Sequence, residues 1–481
     1  MTDEHLERED KYDVSADFSL PDLTDAAPDA VLESTVFQLE ATYYDTPSSH
    51  LRCHGISLRK RTGGRDAGWH LKLPAGDDRV ELHSDSRSSA VPREFSSLLL
   101  GIRRGLKLAP AAKVSTTRHS HRLTDPSGTL LVEIADDHVN SVTMGETATL
   151  TKWREIEVEL GPVGGDDELR SAVADTLLAS GARRSQARSK VATALGPLPV
   201  VEPLKRLAGV IDDYVQAQFT AISEGDLGLR REQNAIHPTR VAIRRLRSTL
   251  RVFGDLFEPG PVKLLESELV WYAGLLGQVR DLDVQIERLS KQVASLPGEL
   301  VLGPVAADID STLAAERGKA WQRLRSAMNG RRYVALLSVL EQWRVDPPYT
   351  GAGAKKRTAV AKYVDRAERK LYRRLDASVE PGADDELLHS ARKAGKRFRY
   401  AAELATPVMG DEAVSKVKRA KQLQEMLGEH QDSVVSVEIL RRLGARAGSS
   451  PGSNGFTYGV LLAKEQQRAQ DVWAAVREVQ R

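Results

Sequence analysis

The chain has one cysteine, Cys53, in 481 residues. That excludes an intramolecular disulfide framework and any zinc site built from several thiolates, and it suits a reducing compartment. No uninterrupted apolar run approaches the roughly 20 residues of a membrane span. The first residues are acidic, with Asp3, Glu4 and Glu7, where a signal peptide would be basic and then apolar. Cytoplasmic residence without a membrane partner is expected. An excess of one charge is also missing: 69 basic residues face 67 acidic ones, a net +2. Any anion binding must therefore come from charge segregated locally. What remains is ordinary for folded protein, 28% charged and 41% hydrophobic, and the length implies two or three domains.

Up to about residue 195 polar and apolar residues alternate at period two, as in Leu130-Leu131-Val132-Glu133-Ile134 and Arg154-Glu155-Ile156-Glu157-Val158-Glu159-Leu160. Gly, Pro, Ser and Asp turns interrupt the runs, the pattern of an antiparallel β-domain with a few helices. Residues 196–203 contain Pro197, Pro199 and Pro203 and read as a linker. Beyond them the period becomes helical, giving an all-α region over 204–481. The expected architecture is a multidomain α and β chain: an N-terminal antiparallel β-barrel or tunnel with helices, then duplicated helical bundles.

The duplication is visible directly. A break at Val345–Gly353 separates repeats at about 204–345 and 354–481. His237-Pro238-Thr239-Arg240-Val241-Ala242-Ile243-Arg244-Arg245-Leu246-Arg247 aligns without gaps on His389-Ser390-Ala391-Arg392-Lys393-Ala394-Gly395-Lys396-Arg397-Phe398-Arg399. A second element follows each, Leu276-Gly277-Gln278-Val279-Arg280-Asp281 and Leu427-Gly428-Glu429-His430-Gln431-Asp432.

His237, Arg240, Arg244, Arg247 and Arg251 fall on one helical stripe, and His389, Arg392, Lys396 and Arg399 repeat it, with Glu403 in the fifth place. Ile243, Leu246, Leu250 and Phe253 form the opposite, apolar face. A merely solvated helix mixes signs, whereas stacked like charges repel, so an anion is expected to offset them. A linear phosphate polymer suits rows of Arg and Lys. Phe398 and Tyr400 are the only aromatic residues in these segments, which disfavours nucleic acid, since bases need stacking partners. The paired motifs resemble the conserved-histidine α-helical domain, CHAD. The resemblance implies an all-helical, non-catalytic domain that binds inorganic polyphosphate, through the nine stripe residues named above. It also implies association with polyphosphate granules as an expectation. Asp281 and Asp432 read either as buttresses for those cations or as helix caps.

In the N-terminal part, Glu7, Glu9 and Lys11 share one face of an extended segment. So do Arg59 with Arg61, Arg79 with Glu81, and Glu155 with Glu157 and Glu159. Strands charged on one face and apolar on the other would enclose a charged interior. Glu7-x-Glu9-x-Lys11, Tyr43-Tyr44-Asp45-Thr46-Pro47, Leu58-Arg59-x-Arg61, Leu71-Lys72-Leu73-Pro74, Glu155-x-Glu157-x-Glu159 and Ser189-Lys190 resemble the CYTH domain of triphosphate tunnel metalloenzymes. That resemblance implies an eight-stranded tunnel that hydrolyses or rearranges a triphosphate such as tripolyphosphate with Mg or Mn. Glu7, Glu9, Glu155 and Glu157, with Glu133 and Asp137, would hold metal. Lys11, Arg59, Arg61, Lys72, Arg79, Arg118 and Lys190 would grip phosphate. The family often has an Asp-x-Gly turn where this chain has Asp136-Asp137-His138. A non-catalytic phosphate binder and a nucleotide- or thiamine-triphosphate-directed enzyme are the alternatives.

Overall fold

Alternating charge gives each strand one wet and one dry face, and the sheet is built on that division. A computed structural model describes residues 3–23, 29–76, 78–145, 147–161, 167–199, 202–380, 385–449 and 454–479. The chain divides into two compact units, Met1–Val200 and Val201–Arg481. Val200 and Val201, inside the expected linker, lie outside the described residues.

The first unit begins with β1 (Asp3–Glu7), β2 (Glu9–Val14) and β3 (Val31–Asp45), followed by a one-turn helix α1 (His50–Cys53). Then come β4 (Ser57–Thr62), β5 (Gly68–Ala75) and β6 (Asp78–Ser84), and the short helices α2 (Arg93–Leu98) and α3 (Leu100–Arg103). The long strands β7 (Ala109–Thr124), β8 (Leu130–Thr143) and β9 (Leu150–Leu160) precede α4 (Asp167–Ala179), the two-residue β10 (Arg183–Arg184) and α5 (Lys190–Leu195). All strands join one antiparallel sheet in the order β1-β6-β5-β4-β3-β7-β8-β9-β2-β10. The ladder itself stays open: among the described residues β1 bonds only to β6, while β2, near the other end, bonds to β9 and β10. Arg8 alone separates β1 from β2, so chain continuity brings the two sides of the sheet together. With β1 and β2 taken as one interrupted strand and β10 set aside, eight strands remain.

The apolar layer lies on the outer face. Val132 and Ile134 of β8, Ile156 and Val158 of β9, and Tyr12 of β2 are buried against Val173, Ala174 and Leu177 of α4. Period-two alternation then turns Glu133 and Asp137, and Glu155, Glu157 and Glu159, to the inner face. Asp136 stays outside, where Arg154 holds it through two hydrogen bonds of 2.9 and 2.8 Å. Helix α5 starts at Ser189, whose hydroxyl accepts from the Ala192 N–H. Its Val191 and Ala194 pack on Tyr43, Ala112, Val114 and Val139. This anchoring delivers Lys190, at the first helical position, to the inner face.

The second unit is helical: α6 (Arg206–Arg230), α7 (Ile236–Val252), α8 (Pro259–Ala294), α9 (Val305–Met328) and α10 (Arg331–Val345) in the first repeat. The second holds α11 (Val360–Val379), α12 (Asp385–Met409), α13 (Asp411–Gly448) and α14 (Phe456–Val479). Ile243, Leu246, Leu250 and Phe253 are all buried, as the apolar face of α7 requires. They share one core with Phe219 of α6, Tyr272 and Leu276 of α8, and Ala391, Ala394 and Phe398 of α12. The two repeats therefore pack through a continuous interior, with the motif helices α7 and α12 against each other. Removing roughly a dozen such side chains from water, at about 25 cal/mol per Å² of apolar surface, is what fixes the basic stripes outward.

Candidate functional site

The inner face of the sheet encloses a polar cavity of about 270 Å³. Arg59, Arg61, Lys72, Arg79 and Glu81 line it from β4, β5 and β6, and Arg118, Glu133, Glu157 and Glu159 from β7, β8 and β9. Acids concentrate on one side. Carboxylate oxygens of Asp137, Glu155 and Glu157 lie within 4.8 Å of one another, and Asp137 and Glu155 are fully buried. Lys190 Nζ stands 2.8 Å from Asp137, 2.8 Å from Glu155 and 2.6 Å from Glu157. Lys11 reaches Glu155 at 2.6 Å and Glu157 at 3.4 Å. Arg118 forks onto Asp137 at 2.8 and 2.7 Å and also reaches Glu157 at 2.7 Å.

Burial alone would raise the carboxyl of Glu157, yet Lys190, Lys11 and Arg118 hold it well below the usual range. Burial would likewise lower Lys190, but Asp137, Glu155 and Glu157 keep its ammonium well above its ordinary value. Glu9 behaves differently. Burial, then the charge of Glu157, raises its carboxyl, and Lys72 at 3.8 Å only partly compensates. A buried acid reluctant to ionise is one that an added cation would stabilise. The donors that converge are all carboxylate oxygens, which suit a hard divalent ion such as Mg²⁺ or Mn²⁺ and not a soft one.

Six acids were expected to hold metal, and the structure brings together Asp137, Glu155 and Glu157. Glu133 sits apart, accepting from the Ser120 hydroxyl at 2.8 Å with Arg122 at 3.6 Å. Glu7 pairs with Arg79 across the β1–β6 ladder, and its side chain lies outside the described residues. Among the cations, Arg59 is 3.6 Å from Glu81, and Arg61 pairs with Asp66. Burial, with Arg59 and Arg118 nearby, lowers the Arg61 guanidinium to about 9.

The second cluster lies between α7 and α12, in a cleft of about 350 Å³. Arg240, Arg244, Arg247 and Arg251 line it from α7, and His389, Arg392 and Lys396 from α12, joined by Lys393 and Arg397. Acids balance part of this charge: Asp281 takes Arg240 at 2.6 Å, and Glu266 takes Arg251 and, at 3.9 Å, Arg247. Among the described residues Arg244, Arg392 and Lys396 have no carboxylate within 4 Å. Burial, then Arg244, Arg392 and Arg240, pushes the Lys396 ammonium down to about 6. Burial and the surrounding cations also lower His237 and His389. Arg399 turns from the cleft towards Glu403 at 3.1 Å and Gln424 at 3.2 Å.

The Leu-Gly-x2-x-Asp element now has a physical reading. Leu276 is buried in the core, and a Cβ on Gly277 would meet the Arg240 guanidinium at 3.3 Å. Glycine there lets Arg240 lie flat on α8 and reach Asp281 one turn on. Asp281 and Asp432 lie inside the long helices α8 and α13, so the reading of either as a helix cap is overturned. The second repeat departs in detail: Gly428 has open space beside it, and His389 Nδ1 is bonded to Gln431 at 2.8 Å.

The CYTH domain model matches residues 5–194 and the CHAD domain model residues 213–441. Uncharacterized protein Rv2226 of Mycobacterium tuberculosis (strain H37Rv) is 33% identical over 495 aligned positions, covering 97% of this chain and 94% of the relative. The chain is a CYTH–CHAD protein. Among solved structures, PptA from Streptomyces chartreusis is 22% identical with a TM-score of 0.49, covering 57% of this chain and 99% of its own. The CHAD domain from the plant Ricinus communis is 24% identical with a TM-score of 0.46, covering 59% and 97%. A putative adenylyl cyclase from Hippeastrum, HpAC1, described as having a dominant triphosphatase activity, is 19% identical with a TM-score of 0.25, covering 40% and 97%.

Some lining residues of this CYTH–CHAD protein were outside the sequence-derived set. Glu81 and Glu159 line the CYTH cavity and follow the same alternation as Arg79 and Glu157, so their signal was present. Buried His70 links Glu81 at 2.9 Å to the Asp66 carbonyl at 2.8 Å and had no motif to mark it. Lys393 and Arg397 line the CHAD cleft from positions beside the stripe.

Proposed function

We propose that the CYTH unit, residues 1–195, hydrolyses a linear triphosphate, tripolyphosphate foremost, with Mg²⁺ or Mn²⁺. The CHAD unit, residues 204–481 beyond a linker at 196–203, binds inorganic polyphosphate. The observation that carries the catalytic half is the division within one cavity: arginine and lysine from β4 to β6 face Glu133, Glu157 and Glu159 of β8 and β9, and Glu157 joins the buried Asp137 and Glu155 in a carboxylate cluster at its wall. Asp137, Glu155 and Glu157, with Glu9 beside them, would hold the metal, which when bound supplies Lewis acidity and an acidified water. Arg59, Arg61, Lys72 and Arg79 neutralise charge spread over the phosphate oxygens, the larger part of catalysis in phosphoryl transfer. Arg118 is kept in orientation by its fork on Asp137, so it loses little entropy on meeting a phosphate.

Phosphate release from tripolyphosphate, ATP and thiamine triphosphate, each with Mg²⁺ or Mn²⁺, tests this reading. Turnover should be fastest on tripolyphosphate, and absence of turnover on all three overturns the catalytic half. A competing, non-catalytic reading is favoured by one fact: each acid of the triad already has a cationic neighbour. The same assay decides between them.

For the CHAD unit the supporting observation is the set Arg244, Arg392 and Lys396, half-buried together in a cleft whose lining contains no Phe, Tyr or Trp. Packing like charges in this way is unfavourable unless an anion joins them. A polyanion without bases satisfies both features. Retention of long-chain polyphosphate that weakens steeply with salt tests the assignment, and no retention overturns it.

A further inference from the structure

Helix α11 was not part of the duplicated motif, yet two of its acids and three of its bases lie on different faces. Asp365 and Glu368 turn towards α13, where Lys416 pairs with both and Arg419 lies 3.5 Å from Glu368. Lys370, Arg373 and Arg374 occupy the other flank at i, i+3 and i+4. Arg374 donates to Ser390 on α12. Ser390 and Arg397 are seven residues apart, hence on one face of α12, and Arg397 lines the central cleft together with Arg251. The basic flank of α11 thus adjoins the cleft wall. Arg397, Arg374, Arg373 and Arg251 are close enough that, after burial, their charges lower the Lys370 ammonium. Among the described residues Lys370, Arg373, Arg374 and Arg397 have no carboxylate within 4 Å.

A solvated helix would spread its acids among its bases, because i,i+4 pairs of opposite sign are favourable and like pairs are not. Here Asp365 and Glu368 serve α13, and Lys370, Arg373 and Arg374 are left as one continuous patch with the bases of the cleft. We propose that Lys370, Arg373 and Arg374, continuing through Arg397, form an outer track that takes the part of a long linear polyphosphate chain extending beyond the cleft. The track makes the CHAD unit select for chain length: short chains fill the cleft, and longer ones gain further contacts on α11. This rests on the reading of the cleft as a polyphosphate site.

Lys370 and Arg373 are exposed, so the full-length Lys370→Glu, Arg373→Glu double variant should fold normally. It is compared with wild type and with a cleft variant, Lys396→Gln, by titrating long-chain inorganic polyphosphate over a range of salt. The double variant should bind the long chain about tenfold more weakly, with the slope of log affinity against log salt smaller by about two, one per lost contact. A wild type that does not bind overturns the cleft reading and the track with it. A wild type that binds, a cleft variant that is weakened and a double variant with unchanged affinity and slope overturn the track alone.

Discussion

Lys190 Nζ lies 2.6 Å from Glu157 Oε1, and the same ammonium is within 2.8 Å of Asp137 and Glu155. A lysine thus stands where three carboxylates converge, two of them fully buried, the position a divalent ion would favour. The two cations compete for the same oxygens. Lys190→Gln should therefore raise the affinity of the CYTH unit for Mn²⁺ by about tenfold, since one unit charge is removed from a poorly solvated site. It should also slow phosphate release, because the same lysine is among those expected to hold phosphate. Titration of free Mn²⁺ by electron paramagnetic resonance checks the first effect, and an unchanged affinity would show that lysine and metal do not share the site.

Arg118 and Asp137 form a two-pronged pair in which the carboxylate has no exposed surface. Removing one partner of a buried pair leaves an uncompensated charge, at a cost of about 3–5 kcal/mol. Lys190 remains beside Asp137 in Arg118→Ala, so the lower end of that range is expected. Urea unfolding of the variant checks it. Arg118→Lys should recover part of the stability, since it keeps the charge, but less of the activity, since it loses the fork.

Lys396 provides a pH dependence with a definite sign. In the folded chain its ammonium is pushed down to about 6, while the unfolded lysine stays near 10.5. Between those values the unfolded state binds more protons, so stability rises with pH across that window and is insensitive to this group below about 6. A bound polyanion favours the charged form, so binding takes up a proton at about pH 8. Affinity for polyphosphate should rise as pH falls towards 6. Calorimetry in buffers of different ionisation enthalpy counts the protons, and Lys396→Met should abolish this part of the uptake.

The two clusters should be separable in function. Reversing Arg240, Arg244, Arg392 and Lys396 to Glu should abolish retention of long-chain polyphosphate and leave phosphate release by the CYTH unit within about twofold of wild type. The four positions lie in the second unit, and effects of sites that share no partners add. A parallel loss of hydrolysis would show that the two activities draw on one site.

Period-two alternation was enough to put Glu155, Glu157 and Glu159 on one face, because the strand repeat admits only two sides. It could not say that Asp137 faces inward and Asp136 outward, since either register was open until Ile134 and Ile156 were seen against α4. The helical stripe was legible for the same reason: Leu246 and Phe398 align and both are buried. What spacing could not show was pairing across elements. Glu403, an apparent defect in the second stripe, accepts from Arg245 at 3.0 Å and Tyr214 at 3.1 Å, tying the two repeats together. The bases of α11 were equally hidden, because they belong to the cleft only through the packing of α11 on α12.

Asp281 presents two opposed effects on ligand binding, and their sizes decide the outcome. It orients Arg240 through one hydrogen bond of 2.6 Å, but its side chain is 62% exposed and Arg240 is 26% exposed. An exposed pair of this kind contributes about 0–1 kcal/mol. Asp281 also places a negative charge beside the path proposed for a polyanion, and its removal frees a guanidinium for phosphate, a charge-assisted contact worth roughly 1.5–3 kcal/mol. The second effect is larger. Asp281→Asn should therefore tighten polyphosphate binding by at least about twofold at low salt, with the gain fading as salt screens it. Gly277→Ala tests the geometry independently. Its methyl would press on the Arg240 guanidinium at 3.3 Å and tilt it away from Asp281. Combined with Asp281→Asn it should add nothing further, because both act through the freedom of Arg240. Weakened binding by Asp281→Asn would instead mean that orientation of Arg240 outweighs the charge it loses.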